Sequence, residues 1–429
     1  MTGLAALMEY LDPRFAQIDE LRTRTHMWDA VIEEVRGREI RIGDHWLVDW
    51  ASCNYLGLDL DPDVIAAVAE QVAKWGTHPG WSRMLGSPRL YPEIEERLTE
   101  LLGAPDTLTL PTISQIHLSV IPALAHRGTV MVENLAHKTI YDGCVHARGL
   151  GATVHRFRSG DLERLEDLLK EATITGPRMV CLDGVNSMTG NLPDLPAYHR
   201  LCQEYGALLY VDDAHGFGVI GGRRPDETSP YGARGNAIVR HYGETYDDLI
   251  LVGGFSKAYS SLLAFLALPT ELKNYVKVVA APYLYSGPSP VASLASVLAG
   301  LEVNEVRGEA MRGHLYRLSK RLLDRIRALG VVTLNTDDTP IVELPIATDR
   351  DLVDVSHELW RRRLFVTLAP YPGVPKDQVG FRIQLTAAHT DEQLDHLADA
   401  ITDLAADGTL RQAAVRDPYP VAATDTLSR

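Results

Sequence analysis

The chain has 429 residues, 45% hydrophobic and 23% charged, which is globular composition with room for a large core and a smaller second domain. A formal charge of −15 opposes nucleic acid, and no basic cluster interleaved with aromatic residues offsets it. No apolar run reaches bilayer length, Met1 to Glu9 lacks a secretory signal's basic start, and Cys53, Cys144, Cys181 and Cys202 show no CxxC spacing, so a cytoplasmic chain with reduced thiols, no membrane partner and no metal is expected.

Leu11 to Glu34 carries apolar residues at helical spacing. Gly37 to Asp44 alternates and is turn-rich, which predicts a small hairpin. Pro62 to Lys74 is an amphipathic helix, with Asp61 as N-cap and Pro62 at the first helical position. Tyr91 to Leu102 is another. Short apolar strands follow at 128–132, 153–157, 178–182, 207–211 and 249–252, with helices such as Asp161 to Glu171 and Tyr198 to Tyr205 between them. Pro288 to Leu329 reads as a long helical region, broken or bent near its middle. Elements then alternate again: strands at 340–344, 364–368 and 380–385, a helix from Asp351 to Arg362, and a helix after His389. Arg411 to Arg429 has little periodicity and reads as a surface tail. The expected fold class is α/β, a mostly parallel central sheet with helices on both faces and a smaller C-terminal α+β domain. The division is 1–58, an N-terminal helical and hairpin segment; 59–295, the large domain; 296–407, the small domain; and 408–429, the tail.

Three stretches carry chemistry. Val211-Asp212-Asp213-Ala214-His215-Gly216 lies at a strand's carboxyl end, where α/β folds gather their ligands. An acid there either reaches a ligand or caps the turn. Gly253-Gly254-Phe255-Ser256-Lys257 follows Leu249 to Val252 directly. A lysine behind an apolar strand is placed for a lowered pKa and Schiff-base chemistry, although most lysines are ordinary surface residues. Phe381-Arg382-Ile383 places one arginine on an apolar strand, where it needs a substrate carboxylate or a structural ion pair. Pyridoxal 5′-phosphate (PLP) requires a carboxylate that keeps its pyridine nitrogen protonated, so that the ring becomes an electron sink. His215, three residues after Asp212, either meets the ring's phenolic oxygen or satisfies a backbone group.

Together with Asn54-Tyr55-Leu56-Gly57-Leu58, Gly80-Trp81-Ser82-Arg83 and Asp183-Gly184-Val185-Asn186-Ser187-Met188, these motifs occur in an order that resembles the α-oxoamine synthase family of fold-type-I PLP enzymes. The resemblance runs from about residue 10 to 405. It implies that 59–295 binds PLP and that Lys257 is the Schiff-base lysine. It implies Asp212 as partner of the pyridine nitrogen, His215 of the phenolic oxygen, His137 stacked on the ring and Ser187 at its side. Thr112, Ile113 and Ser114 fall at the family's phosphate turn, with Ser256 nearby. Arg382 falls where the family grips the substrate carboxylate and Asn54 where it has a residue near substrate. Ser286 falls where a neighbouring subunit's phosphate is reached, which implies a homodimer.

The implied reaction condenses an amino acid with an acyl thioester, on coenzyme A or a carrier protein, with or without decarboxylation, through an external aldimine and quinonoid. A β- or γ-replacement, a retro-aldol reaction or amino transfer on the same fold is the alternative, and a non-enzymatic scaffold a third. The chain departs from the family's usual pattern. Gly254 replaces a threonine, Thr112-Ile113-Ser114 a Ser-Gly-Tyr turn, and His137-Lys138-Thr139 a His-Ala-Ser run. Tyr91 stands for a histidine, and Gly76 to Trp81 is bulkier than the usual glycine run. A changed acyl side with a retained cofactor is the expectation.

Overall fold

The computed structural model describes residues 3–8, 10–11, 14–172, 176–227 and 229–413. The N-terminal meander consists of β1 (Glu34–Arg36), β2 (Glu39–Ile42) and β3 (His45–Asp49). The helix expected to run to Glu34 ends earlier, at Arg24, where the Thr25 hydroxyl turns back onto the Leu21 carbonyl at 2.8 Å. The helix predicted at Pro62 runs to Trp75, and the Asp61 side chain accepts from the N–H groups of Asp63 and Val64.

The central strands are β4 (Asp106–Leu110), β5 (Thr129–Glu133), β6 (Thr153–Phe157), β7 (Arg178–Asp183), β8 (Leu208–Asp212), β9 (Leu249–Gly254) and β10 (Ala264–Leu268). They form a 7-stranded sheet in the order β4-β10-β9-β8-β7-β5-β6. Only β10 opposes its neighbours, pairing antiparallel with both β4 and β9. The sheet is therefore mostly parallel, with an apolar core on each face. Leu249 and Leu251 enter one core while Ile250 and Val252 enter the other. Burial on both faces explains why these strands read as near-continuous apolar runs.

Two of these strands, β4 and β10, are absent from the elements read along the sequence. The five-residue apolar run at Ala264 gives no period that separates a buried strand from a helix. The helix Ile113–Ala125 was also missed, and it carries Pro122 near its end, which masks the pattern.

The remaining strands are β11 (Ile341–Pro345), β12 (Leu364–Phe365), β13 (Thr367–Ala369) and β14 (Gly380–Gln384). β11, β14 and β13 make a small antiparallel sheet, whereas β12 pairs parallel with β3 and so ties the N-terminal meander to the C-terminal part of the chain. The helix Val291–Ala328 is unbroken over 38 residues, contrary to the expected interruption. Its Gly300 serves close approach rather than a break: a Cβ there would stand 3.1 Å from the Tyr259 ring. The expected tail lies outside the described residues beyond 413, while Leu410 and Gln412 bridge to Ile346 and Val331. Among the described residues no helix is long and apolar enough to cross a membrane.

Candidate active site

The carboxyl ends of β7, β8 and β9 open on one cavity, lined among others by Asp183, Asp212, His215, Lys257, His137 and Ser187. Strand parity decides what Asp212 touches. Tyr210 and Asp212 point to the same face of β8, and the helix Ile113–Ala125 packs on that face. His117 of that helix meets both, with Nε2 2.8 Å from Asp212 Oδ2 and Nδ1 2.9 Å from the Tyr210 hydroxyl. Burial pushes the Asp212 carboxyl up. The charge and hydrogen bond of His117, followed by Lys257 and His137, more than offset that, so it lies below the usual carboxylate range. A fully buried acid is thus kept ionised.

Asp213 has a different task. Its oxygens accept from the backbone N–H of Ile238 at 2.8 Å and Val185 at 3.3 Å, and burial raises it to about 7. Gly184 and Gly216 lie so close to this carboxyl that a Cβ at either would overlap it. The first acid of the pair faces the cavity; the second braces the loop.

Lys257 is half-buried, and its Nζ has no hydrogen-bond or ion-pair partner among the described residues. His215 is buried, with Nδ1 2.7 Å from the Tyr55 hydroxyl. Burial, then the positive charge of Lys257, holds its pKa well below the usual histidine value, while burial keeps the Tyr55 phenol protonated. With the phenol donating to Nδ1, the remaining ring proton sits on Nε2. His137 caps the helix Lys138–Gly149, and its backbone N–H donates to Asp183 Oδ1 at 2.8 Å. Asp183 in turn lies beside Asp212 in strand register.

Thr112, Ile113, Ser114 and Ser256 also line the cavity. Thr112 is the N-cap of its helix, and its hydroxyl accepts from Gln115 N. The N–H groups of Ile113 and Ser114 have no partner among the described residues and begin a 13-residue helix, which suits a phosphate. The missing hydroxyl at Gly254 has a steric explanation. A Cβ there would lie 2.6 Å from Ile113 Cδ1 and 3.1 Å from its Cγ1. The side chain lost at 254 and the one gained at 113 compete for one volume, so the two departures are a single exchange. Gly254→Thr is therefore expected to overpack the site by about 1–3 kcal/mol, and Ile113→Gly in the same chain to recover much of that. Thermal unfolding of the four cofactor-free proteins checks this, and strict additivity would show that the positions do not share space.

Arg382 projects from β14 toward the Ser187 loop, where Nη1 donates to the Ser187 carbonyl. With the Gln384 amide oriented to face it, Gln384 Oε1 accepts from Nη2 at 2.8 Å and Nε at 3.2 Å. Among the described residues no carboxylate forms an ion pair with Arg382, which leaves a positioned cation. Asn54 is half-buried and does not line the cavity; its neighbour Tyr55 is the residue that reaches His215. Ser286 also lies outside the cavity, its hydroxyl donating to the Gly287 carbonyl at 3.0 Å. His117 and Tyr55 were not singled out from the sequence. A lone histidine between Ile116 and Val120 on a buried helix face is the signal that was available, since a buried polar ring needs partners.

These groups fit PLP: an unpaired lysine amine, an ionised buried carboxylate, a histidine donor and open N–H groups at a helix start. A family model described as aminotransferase class I and II matches residues 46–401. 8-Amino-7-oxononanoate synthase of Stutzerimonas stutzeri is 34% identical over 377 residues, covering 87% of this chain and 91% of that protein. The enzyme of the same name from Pseudomonas putida KT2440 is 33% identical, with 87% and 92% covered. Serine palmitoyltransferase of S. paucimobilis, a lysine-to-alanine variant solved with a PLP–myriocin aldimine, superposes with a TM-score of 0.84 at 25% identity, covering 94% of this chain and 98% of that one. The Sphingomonas wittichii serine palmitoyltransferase gives 0.82 at 26%, with 92% and 97% covered. On these matches the chain belongs to the aminotransferase class I and II family and, within it, to the α-oxoamine synthases, PLP-dependent enzymes that join an amino acid to an acyl thioester.

Proposed function

We propose that this chain joins the Cα of an amino acid to the acyl carbon of a thioester and expels the thiol. The observation that carries this reading is the cavity that brings the unpaired Lys257 amine and the ionised Asp212 beside the Ser187 loop, whose carbonyl accepts from the Arg382 guanidinium. When bound, PLP supplies an electron sink for the charge left at Cα. Lys257 Nζ would hold the cofactor, and the same amine would accept the Cα proton. Asp212, held ionised by His117, keeps a proton on the pyridine nitrogen. His215 donates Nε2–H to the phenolic oxygen, and Tyr55 fixes that tautomer. His137 and Ser187, which line the same cavity, would hold the ring at its face and its side. Ile113 and Ser114 N–H, with the Thr112 and Ser256 hydroxyls close by, hold the phosphate. Arg382 receives the amino acid's carboxylate, with Asn54 on the approach to that site. The acyl carrier is coenzyme A or a carrier protein, and the setting is the cytoplasm.

Incubating the purified holoenzyme with an amino-acid panel, with and without acyl thioesters on each carrier, tests this. Free thiol and a ketone product that require both substrates are expected. Thioester-independent conversion of the amino acid would instead favour replacement, retro-aldol or amino transfer.

The reading includes a homodimer. Ser286 does not line its own protomer's cavity, and the apolar Trp81, Met84, Leu85 and Tyr285 are all more than half exposed. Leu262 lines the cavity yet is 53% exposed, so its wall is open on that side. A second copy covering this surface would bring Ser286 to the neighbouring phosphate, and closed two-fold dimers are the commonest assembly. Sedimentation should give a dimer, and a fully active monomer would refute it.

A further inference from the structure

Arg382 sits in the middle of a polar row that crosses the small antiparallel sheet. Thr367 of β13 is its register partner on one side and Glu343 of β11 on the other. Directly opposed residues of an antiparallel pair share a face, with Cβ atoms about 4.5–5.5 Å apart. Glu343 is wholly buried, and among the described residues neither carboxyl oxygen has a hydrogen-bond partner. A buried carboxyl in that state carries a desolvation cost that an apolar residue in the same place would avoid. It does not form an ion pair with Arg382, whose donors go to the Ser187 carbonyl and Gln384. The arginine is held away from its cross-strand carboxyl and toward the cavity side.

We propose that Glu343 is a positioning residue for amino-acid recognition: it shares the charge of Arg382 while the carboxylate site is free and takes up a proton when a substrate carboxylate docks there. This rests on the reading that Arg382 receives that carboxylate. The chemistry follows from one cation facing two anions. An acid that is marginally ionised beside one arginine becomes harder to ionise once a second carboxylate shares that arginine. Burial raises Glu343 to about 8, and Arg382 is the one charge acting against that rise. Lys376 and Asp377, on the turn beside β11, face elsewhere: Lys376 is exposed over Tyr371, and Asp377 is paired with Arg411. Thr367 is not ionisable. His137, His215 and Tyr55 feel Arg382 from the cavity side, and all three remain in the variants used for comparison.

The test uses the holoenzyme and an amino acid that binds, without thioester. Binding heats in buffers of different ionisation enthalpy give the protons taken up. Near pH 8, where such a group is half ionised, the wild type should take up as much as about half a proton more than Glu343→Gln, and its affinity should fall about threefold more per pH unit. Glu343→Leu should behave like Glu343→Gln, which covers a failure of either to fold. Equal proton uptake and equal pH slopes in wild type and both variants would overturn the proposal, leaving Glu343 merely structural. Arg382→Lys separates the two claims. If it weakens amino-acid binding tenfold or more while the Glu343 variants match wild type, the proposal alone fails. If it leaves binding unchanged, the assignment of Arg382 fails and the proposal with it.

Discussion

Lys257→Ala is expected to remove turnover, by at least about 10³-fold, because it deletes both the anchor for the cofactor and the base for the Cα proton; a positioned base alone contributes about 10²–10⁴-fold. Among the described residues no other lysine lines the cavity, so no neighbouring amine there can replace it. Its Nζ is also free of competing partners among the described residues, which is the state a covalent attachment needs. Borohydride reduction of the holoenzyme followed by peptide mass mapping should put the pyridoxyl mass on Lys257. A stoichiometric adduct on another lysine would refute the assignment.

Asp212→Asn should leave the cofactor bound, since the other attachments proposed for it lie at Lys257 and at the helix start of Ile113. The neutral amide cannot hold the pyridine nitrogen protonated by charge, and Cα-proton exchange of a bound amino acid should slow by about 10²–10⁴-fold. His117→Phe should lose less. It removes one hydrogen bond to a charged group, worth about 1.5–3 kcal/mol, and with it the influence that keeps a buried carboxyl ionised. Because His117 acts through Asp212, the double variant should be no slower than Asp212→Asn alone. Cα–deuterium exchange followed by NMR reads all three. Additive losses would show that His117 has a separate role.

The sheet and the cavity lysine were legible for a simple reason. A parallel strand covered on both faces is apolar at nearly every position, so Leu249 to Val252 and Leu208 to Val211 announce themselves, and the polar residues that end such runs sit where ligands bind. Asp212, His215 and Lys257 follow from that, strengthened by the resemblance. The carboxylate's division of labour did not: only the direction of each side chain at the end of β8 shows that Asp212 serves the cavity and Asp213 the loop.

The unread parts of the site depend on residues far apart in the chain. His117 lies 95 positions from Asp212, Tyr55 lies 160 from His215, and Arg382 lies 195 from Ser187. Periodicity and capping describe only the nearest turn or strand, so these pairings are invisible to them. Gly254 and Ile113 appear along the chain as two unrelated departures, and only the 2.6 Å that a Cβ would have left shows that one fills the other's space. Glu343 is one polar residue in the strand at 340–344, and only the register sets it opposite Arg382 and the surrounding sheet buries it. The amino-acid sequence by itself determined the layered fold and pointed to the lysine and the carboxylate that share the cavity, because local hydrophobic pattern specifies strands and their ends. Tertiary structure alone decided which groups tune them, because packing density and strand register, not neighbouring residues, choose what a buried polar group faces.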